Sequence, residues 1–114
     1  MTESEIQKAV VQHLRLRCTP NTYWFHVPNG GRRSITEAVR FKAEGVKPGV
    51  PDLIICHRSQ FFALELKAEK GVVSPHQRQA HWDIEDAGGF VAVSKGLDQA
   101  LVTLETWGIL ERGK

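Results

Sequence analysis

Two short apolar segments that carry acidic residues most constrain how this chain can fold. The first, residues 52–56, begins with Asp52, and the second, residues 61–67, contains Glu65. Only four residues connect them, which is a length that a β-hairpin accommodates. A carboxylate inside an apolar strand is costly unless it is paired with a cation or bound to a metal. The two segments therefore predict a hairpin in which the acidic residues have a chemical role.

The periodicity of a β-strand places the charged residues of the second segment on one face. Residues i and i+2 of a strand project to the same side, so Glu65 and Lys67 project together. Leu64 and Leu66 then face the opposite side. If the two segments pair as a hairpin, Asp52 approaches Glu65. Two carboxylates and an ammonium in one place suit a divalent cation and a phosphodiester.

Local patterns along the chain predict eight alternating elements. Apolar spacing and capping residues predict helices over about residues 4–17, 34–44, 75–87 and 97–106. β-branched and aromatic residues predict strands over residues 22–27, 52–56, 61–67 and 90–94. This order predicts an α/β fold with a mixed central sheet flanked by helices. At 114 residues the chain is expected to form one domain over residues 1–114.

Composition adds limits on compartment and partners. The net charge is only +2, which does not by itself indicate nucleic-acid binding. Cys18 and Cys56 show neither metal-ligand spacing nor a disulfide pattern, which fits a reducing interior. No apolar stretch approaches the roughly 20 residues needed to span a bilayer, and the N-terminus lacks the apolar region of a signal peptide. A soluble cytoplasmic protein without a membrane partner is expected.

Two polar residues near helix starts have competing interpretations. Glu5 completes a capping box with Thr2, although a box formed by Ser4 and Gln7 would leave Glu5 free. From the residues alone, capping is slightly favoured for Glu5. Gln77 also completes a capping box, yet its spacing places it on the inward face of its helix. One side chain is not expected to satisfy both of these roles.

Other conspicuous residues have ordinary interpretations beside functional ones. Arg32 and Arg33 fit a solvated turn and a phosphate clamp equally well. The three tryptophans, Trp24, Trp82 and Trp107, are expected to be core residues.

Four segments, in their order along the chain, resemble the virus-type replication-repair nuclease domain, VRR-NUC, of the PD-(D/E)XK nuclease superfamily. The segments are Val27–Gly30, Gly45–Leu53, Glu65–Lys67 and Ser74–Gln77. The resemblance extends over nearly the whole chain and is to the stand-alone members found in phage and bacteria. It implies the restriction-endonuclease-like core of that superfamily.

The resemblance implies a role for each matching residue. Asp52 and Glu65 match the metal-binding acids of the family, and Lys67 matches its catalytic lysine. Gln77 matches the glutamine on the helix that follows. Each of these four positions carries the residue type that the family motif requires. An active enzyme is therefore expected.

Further site residues follow from the same resemblance. Glu5 matches the acidic residue on the first helix, which favours an active-site role over capping, and Glu3 is the competing candidate. The ligands expected for Mg²⁺, for which Mn²⁺ is expected to substitute, are Asp52, Glu65, the backbone carbonyl of Leu66, and Glu5. The residues expected to contact nucleic acid are Asn29, Arg32, Arg33 and Lys47.

The implied activity is metal-dependent hydrolysis of DNA phosphodiester bonds by water, without a covalent intermediate. A homodimer that cuts branched DNA, as a Holliday-junction resolvase in DNA repair does, is the preferred expectation. One alternative is a flap or general DNA nuclease with the same site, and another is a non-catalytic nucleic-acid-binding module with structural acids. The apolar C-terminal segment, residues 101–110, fits a dimer interface and a cap over the core equally well.

Overall fold

The computed structural model describes residues 1–28 and 33–112, and the secondary structure in these residues follows the expected order. The elements are α1 (Glu3–Arg17), β1 (Thr22–His26), α2 (Ile35–Ala43), β2 (Leu53–His57), β3 (Gln60–Lys67), α3 (Pro75–Asp86), β4 (Phe90–Lys95) and α4 (Leu97–Thr106). Each boundary lies within one residue of the position expected from sequence. Local periodicity and capping residues therefore define these elements well.

The four strands that the structure describes form one mixed sheet in the order β1-β2-β3-β4. β1 pairs with β2 and β2 pairs with β3 in antiparallel fashion, whereas β3 and β4 are parallel. The parallel pair requires a crossover, which α3 supplies. The expected α/β class with a mixed sheet and flanking helices is confirmed.

The hairpin between β2 and β3 is tighter than expected. His57 and Gln60 pair with each other at the end of the ladder, so the turn contains two residues rather than four. Those residues, Arg58 and Ser59, have φ values of 48° and 66°, as in a type I′ turn. This turn matches the twist of the strands, and it fixes the register that aligns the acidic ends of the two strands.

One face of the sheet packs against α1 and α4 to form the hydrophobic core. The buried core side chains are Ile6, Val10, Leu14, Leu53, Ile55, Phe62, Leu64, Leu66, Ala100, Leu104, Ile109 and Leu110. Ile109 and Leu110, which follow α4, are almost inaccessible to solvent. Of the two interpretations of the C-terminal segment, the structure supports the cap over the core.

The expectation for the tryptophans is correct for two of the three. Trp24 and Trp107 are partly buried and pack against the core. Trp82 is 58% exposed, so its assignment to the core was wrong. It directly follows His81, which is buried against the sheet, and a step of one residue along a helix turns the next side chain away from that contact.

Among the described helices, none has both the length and the hydropathy needed to cross a membrane.

The core predicts a large difference between two truncations to alanine. Leu64 is fully buried at the centre of β3, whereas Val102 on α4 is 60% exposed. We expect Leu64→Ala to lower the free energy of unfolding by about 2–5 kcal/mol, because it removes apolar contacts and leaves a cavity. Val102→Ala, the control, should change it by less than about 0.5 kcal/mol. Urea unfolding followed by circular dichroism measures both values, and equal small effects would contradict this packing.

Candidate active site

A cleft with a volume of about 190 Å³ lies where α1 meets the start of β2 and the end of β3. Its lining comprises Glu3, Ser4, Gln7, His26, Asp52 and Leu66. A water molecule occupies about 30 Å³ in the liquid, so this space is large enough for a small hydrated cation. The cleft also combines carboxylate groups from two different elements.

Asp52 occupies the position just before β2 and is tied to both neighbouring strands. Its Oδ2 accepts a hydrogen bond from the backbone N–H of Leu66 at 2.7 Å. Its backbone carbonyl accepts from the N–H of Val27 at 2.9 Å, and lies 2.8 Å from Nδ1 of His26. Asp52 is therefore held in place by contacts to the chain on both sides of β2, at the ends of β1 and β3.

Glu65 is the buried acid of the site, with only 2% of its surface exposed. Its Oε1 lies 3.2 Å from Nε2 of His81, and its Oε2 accepts from Nε2 of Gln77 at 3.3 Å. Burial, together with the neighbouring Asp52, raises the pKa of Glu65 to about 9, whereas Lys67 opposes the shift. Two carboxylates lie close together here, as expected from the hairpin.

Lys67 shares a strand face with Glu65, as the strand periodicity predicts. It is 7% exposed, which is unusual for a lysine. The chain turns back over its stem, because a Cβ added at Gly71 would lie 3.2 Å from Cβ of Lys67. The side chains of Leu64 and Leu66 lie in the core on the opposite face. The structure therefore brings Asp52, Glu65 and Lys67 to one place.

Gln77 satisfies both roles that were expected to exclude each other. Its Oε1 accepts from the backbone N–H of Ser74 at 2.9 Å, and its own N–H donates to Oγ of Ser74 at 3.2 Å. Its Nε2 remains free to donate to Glu65. The expectation was wrong because an amide side chain has an acceptor and a donor on separate atoms. The capping box thus orients the amide toward Glu65.

Gly49 fixes the loop before Asp52 against the start of α3. Its φ is +76°, and a Cβ at this position would lie 2.4 Å from the backbone carbon and oxygen of His76. It would also lie 2.6 Å from the backbone nitrogen of Gln77. Any other residue would force the loop and the helix apart. This contact sets the distance between the strand that follows Asp52 and the helix that carries Gln77.

The structure corrects the placement of the acidic residue on α1. Glu5 is exposed and its Oε1 accepts from the backbone N–H of Thr2 at 2.8 Å, which completes the capping box. Its pKa is lowered, chiefly by this hydrogen bond. Glu3 lines the cleft instead, and its charge acts on Glu65. The structure places Glu3 in the cleft rather than Glu5, which the resemblance favoured, because Glu3 lies one helical turn before the buried Ile6.

The residues expected to contact nucleic acid are not gathered in the acidic cleft. Asn29 and Arg32 lie outside the described residues. Arg33 and Lys47 are exposed and line a separate depression beside α2 with a volume of about 490 Å³. The guanidinium of Arg33 lies 4.7 Å from the ring centre of Phe41 in that depression. These two cations therefore belong to one surface that is distinct from the cleft.

Two polar residues near the acids were not assigned a role from the sequence. His81 is buried and contacts Glu65, and its position one turn after Gln77 on the inward face was the available signal. Gln7 lines the cleft, and its buried Nε2 has no hydrogen-bond partner within residues 1–28 and 33–112. An unpaired buried donor is costly unless something outside the protein accepts its hydrogen bond.

The donor groups of the site fit magnesium better than zinc. In the part of the chain that the structure describes, no three or more His, Cys, Asp or Glu residues cluster as a metal site. Asp52 and Glu65 supply two carboxylates, with Leu66 between the second acid and Lys67. Mg²⁺ is commonly held by one or two carboxylates and keeps several waters, whereas zinc requires three or four protein ligands. A divalent cation would also offset the repulsion between the two carboxylates.

Comparison with known proteins shows that this chain is similar to one domain family and to solved structures of that domain. The family model of the VRR-NUC domain matches residues 1–98. A solved structure described as a "VRR_NUC domain protein" is similar with a TM-score of 0.73 and 24% sequence identity, covering 92% of this chain and 86% of that chain. A second, described as a "VRR_NUC domain", has a TM-score of 0.63 and 20% identity, covering 94% and 99%. A comparison with curated protein sequences gives no match.

The raised pKa of Glu65 predicts how pH affects the stability of the metal-free protein. Its pKa is about 9 in the folded protein against an ordinary 4.5, so the folded state holds this proton more tightly. The resulting stabilisation is full below about pH 4.5 and is lost as pH rises toward 9. Glu65→Gln cannot ionise and should not show this loss.

Thermal unfolding in chelator across this pH range measures the difference between wild type and Glu65→Gln. We expect the variant to become progressively more stable than wild type as pH rises, because other titrating groups cancel in the difference. Parallel pH profiles for the two proteins would show that the Glu65 carboxyl titrates normally.

Proposed function

This chain belongs to the VRR-NUC domain family, and from that premise we propose that it is a Mg²⁺-dependent endonuclease that hydrolyses phosphodiester bonds in DNA. The observation that carries this proposal is the convergence of Asp52, Glu65 and Lys67 at one end of the hairpin. A structural role alone does not explain why an apolar strand carries a buried carboxylate beside a second one. Metal-dependent hydrolysis of a phosphodiester would use such a pair of carboxylates to hold the cation.

Each residue of the site has a defined part in this proposal. Asp52, Glu65 and the carbonyl of Leu66 would hold the metal ion, which when bound activates water and stabilises charge on the phosphate. The Lys67 ammonium would neutralise the negative charge that develops on the phosphate. The Nε2 of Gln7, which has no hydrogen-bond partner among the described residues, would donate to a phosphate oxygen in the cleft. Glu3 would contribute the acid of the first helix.

Replacing either acid tests the catalytic assignment. We expect Asp52→Asn and Glu65→Gln to reduce cleavage of labelled DNA by about 100-fold or more, because each removes a negative ligand while keeping the shape of the side chain. Glu69→Gln, at an exposed position near the end of β3, is the matched control and should cut normally. Circular dichroism checks that each variant is folded. Wild-type rates in Asp52→Asn would refute the assignment.

The second part of the proposal concerns which DNA structure the enzyme cuts. We infer that the protein acts on branched DNA as a homodimer that cuts four-way junctions. Cleavage of a four-way junction should be compared with cleavage of its linear arms, in Mg²⁺, in Mn²⁺ and in chelator. Paired symmetric cuts at the junction would support a resolvase, whereas cutting of flaps or of all duplexes would indicate a different nuclease.

The alternative from another class of protein is a nucleic-acid-binding module that has no catalytic activity. Such a module would tolerate the loss of Asp52 and Glu65, and it would bind DNA more tightly once these negative charges were removed. The absence of cutting in any metal, together with tighter binding by Asp52→Asn, would favour this alternative.

The second helix is the surface that best suits a second copy of the chain. None of the nine residues of α2 is buried. Ile35 and Val39, which are 86% and 64% exposed, lie one turn apart and form an apolar stripe on its surface. An isolated helix of this length is marginal in water, so α2 requires a packing partner. The C-terminal segment offers less apolar surface for this interface, because Leu104, Ile109 and Leu110 lie in the core.

The helix carries charges of both signs beside its apolar stripe. α2 contains one acid, Glu37, and two bases, Arg40 and Lys42, and Glu44 follows at its C-terminal cap. Two copies related by a two-fold axis can place acids near bases around the apolar stripe, because such a contact is self-complementary.

A charge inserted into the stripe tests this interface. We expect Val39→Glu to convert a dimer into a monomer, because a carboxylate would be buried next to its symmetry mate. Leu16→Glu on α1, where the leucine is 84% exposed, is the matched control and should remain dimeric. Gel filtration with light scattering over a range of concentrations measures the mass. A wild-type monomer at high concentration, or a Val39→Glu dimer, would contradict the proposal.

A further inference from the structure

His81 lies one turn after Gln77 on the inward face of α3, where only 7% of its surface is exposed. Its Nε2 is 3.2 Å from Oε1 of Glu65, while Nε2 of Gln77 is 3.3 Å from Oε2. The helix therefore presents a separate side chain to each oxygen of the same carboxylate. Only Gln77 has a second function, at the cap of the helix.

The chemistry of these two partners distinguishes them from an ordinary ion pair. An imidazole with its proton on Nε2 donates one hydrogen bond to the carboxyl group, as the amide of Gln77 does on the other oxygen. An arginine or lysine at this position would instead compete with a metal cation for the carboxylate.

We propose that His81 is a positioning residue that donates from Nε2 to Glu65 and so fixes the plane of the carboxylate for metal binding. The last torsion of a glutamate is broad and is poorly fixed by sterics alone. Donors on both oxygens remove this freedom before the metal arrives, which lowers the entropy cost of binding. Outer partners of metal-binding residues typically contribute 10–100-fold in metal affinity.

The proposal rests on the proposed function only in its assignment of Glu65 as a metal ligand. The purely structural explanation is that His81 fills space between α3 and the sheet. In that case His81→Leu would bind the metal as tightly as wild type does, and His81→Gln would have no advantage over His81→Asn.

Binding of Mn²⁺ to the full chain, measured by isothermal titration calorimetry, separates these explanations. We expect His81→Leu to weaken Mn²⁺ binding about 10–100-fold while the protein stays folded in chelator. His81→Gln should recover most of the affinity, because its amide nitrogen reaches about as far as Nε2. His81→Asn is too short and should not recover it. Trp82→Leu, next to His81 but exposed, is the control and should bind as wild type does.

If His81→Leu does not fold, the comparison of His81→Gln with His81→Asn still tests the proposal. Equal Mn²⁺ affinity in wild type, His81→Gln and His81→Asn would overturn the proposal, as would a wild type that binds no Mn²⁺. DNA cleavage is measured separately. A wild type that binds Mn²⁺ with an affinity that depends on His81 but cuts no DNA would refute the nuclease and leave this inference intact.

Discussion

The buried carboxylate of Glu65 is the constraint on which the rest of the site depends. It interrupts an apolar strand and has only 2% of its surface exposed, so water cannot stabilise its charge. Three parts of the chain meet around it: the residue before β2, the end of β3, and one face of α3. A second acid beside it raises the electrostatic cost further. The fold therefore maintains an arrangement that a divalent cation would stabilise.

Backbone geometry far from the acids sets their spacing. The two-residue turn of Arg58 and Ser59 fixes the register of the hairpin, which places Asp52 within reach of the backbone of Leu66. Gly49 allows the loop before Asp52 to contact the first turn of α3. The capping box at that turn then directs the amide of Gln77 toward Glu65. These contacts involve backbone atoms or hydrogen-bonded polar side chains, and they therefore keep the distances between the acids and α3 constant.

The packing of the helices divides the molecule into parts with different roles. α1 and α4 stabilise the sheet from one side through the hydrophobic core, whereas α3 faces the acids from the other. The described residues of α2 contribute nothing to the buried core. A sequence that forms an amphipathic helix but leaves its apolar stripe exposed is consistent with a surface kept for another molecule. The site and that surface are joined by the loop of residues 45–51.

The sequence by itself determined the order and limits of the elements, the shared face of Glu65 and Lys67, and the capping boxes at Thr2 and Ser74. These depend on strand and helix periodicities and on hydrogen bonds between residues three apart, which are local. Tertiary structure alone decided that Glu3 rather than Glu5 lines the cleft, that Gln77 reaches Glu65 while capping its helix, and that His81 joins it. Those outcomes depend on how each helix is rotated about its axis against the sheet, and packing between distant residues sets that rotation.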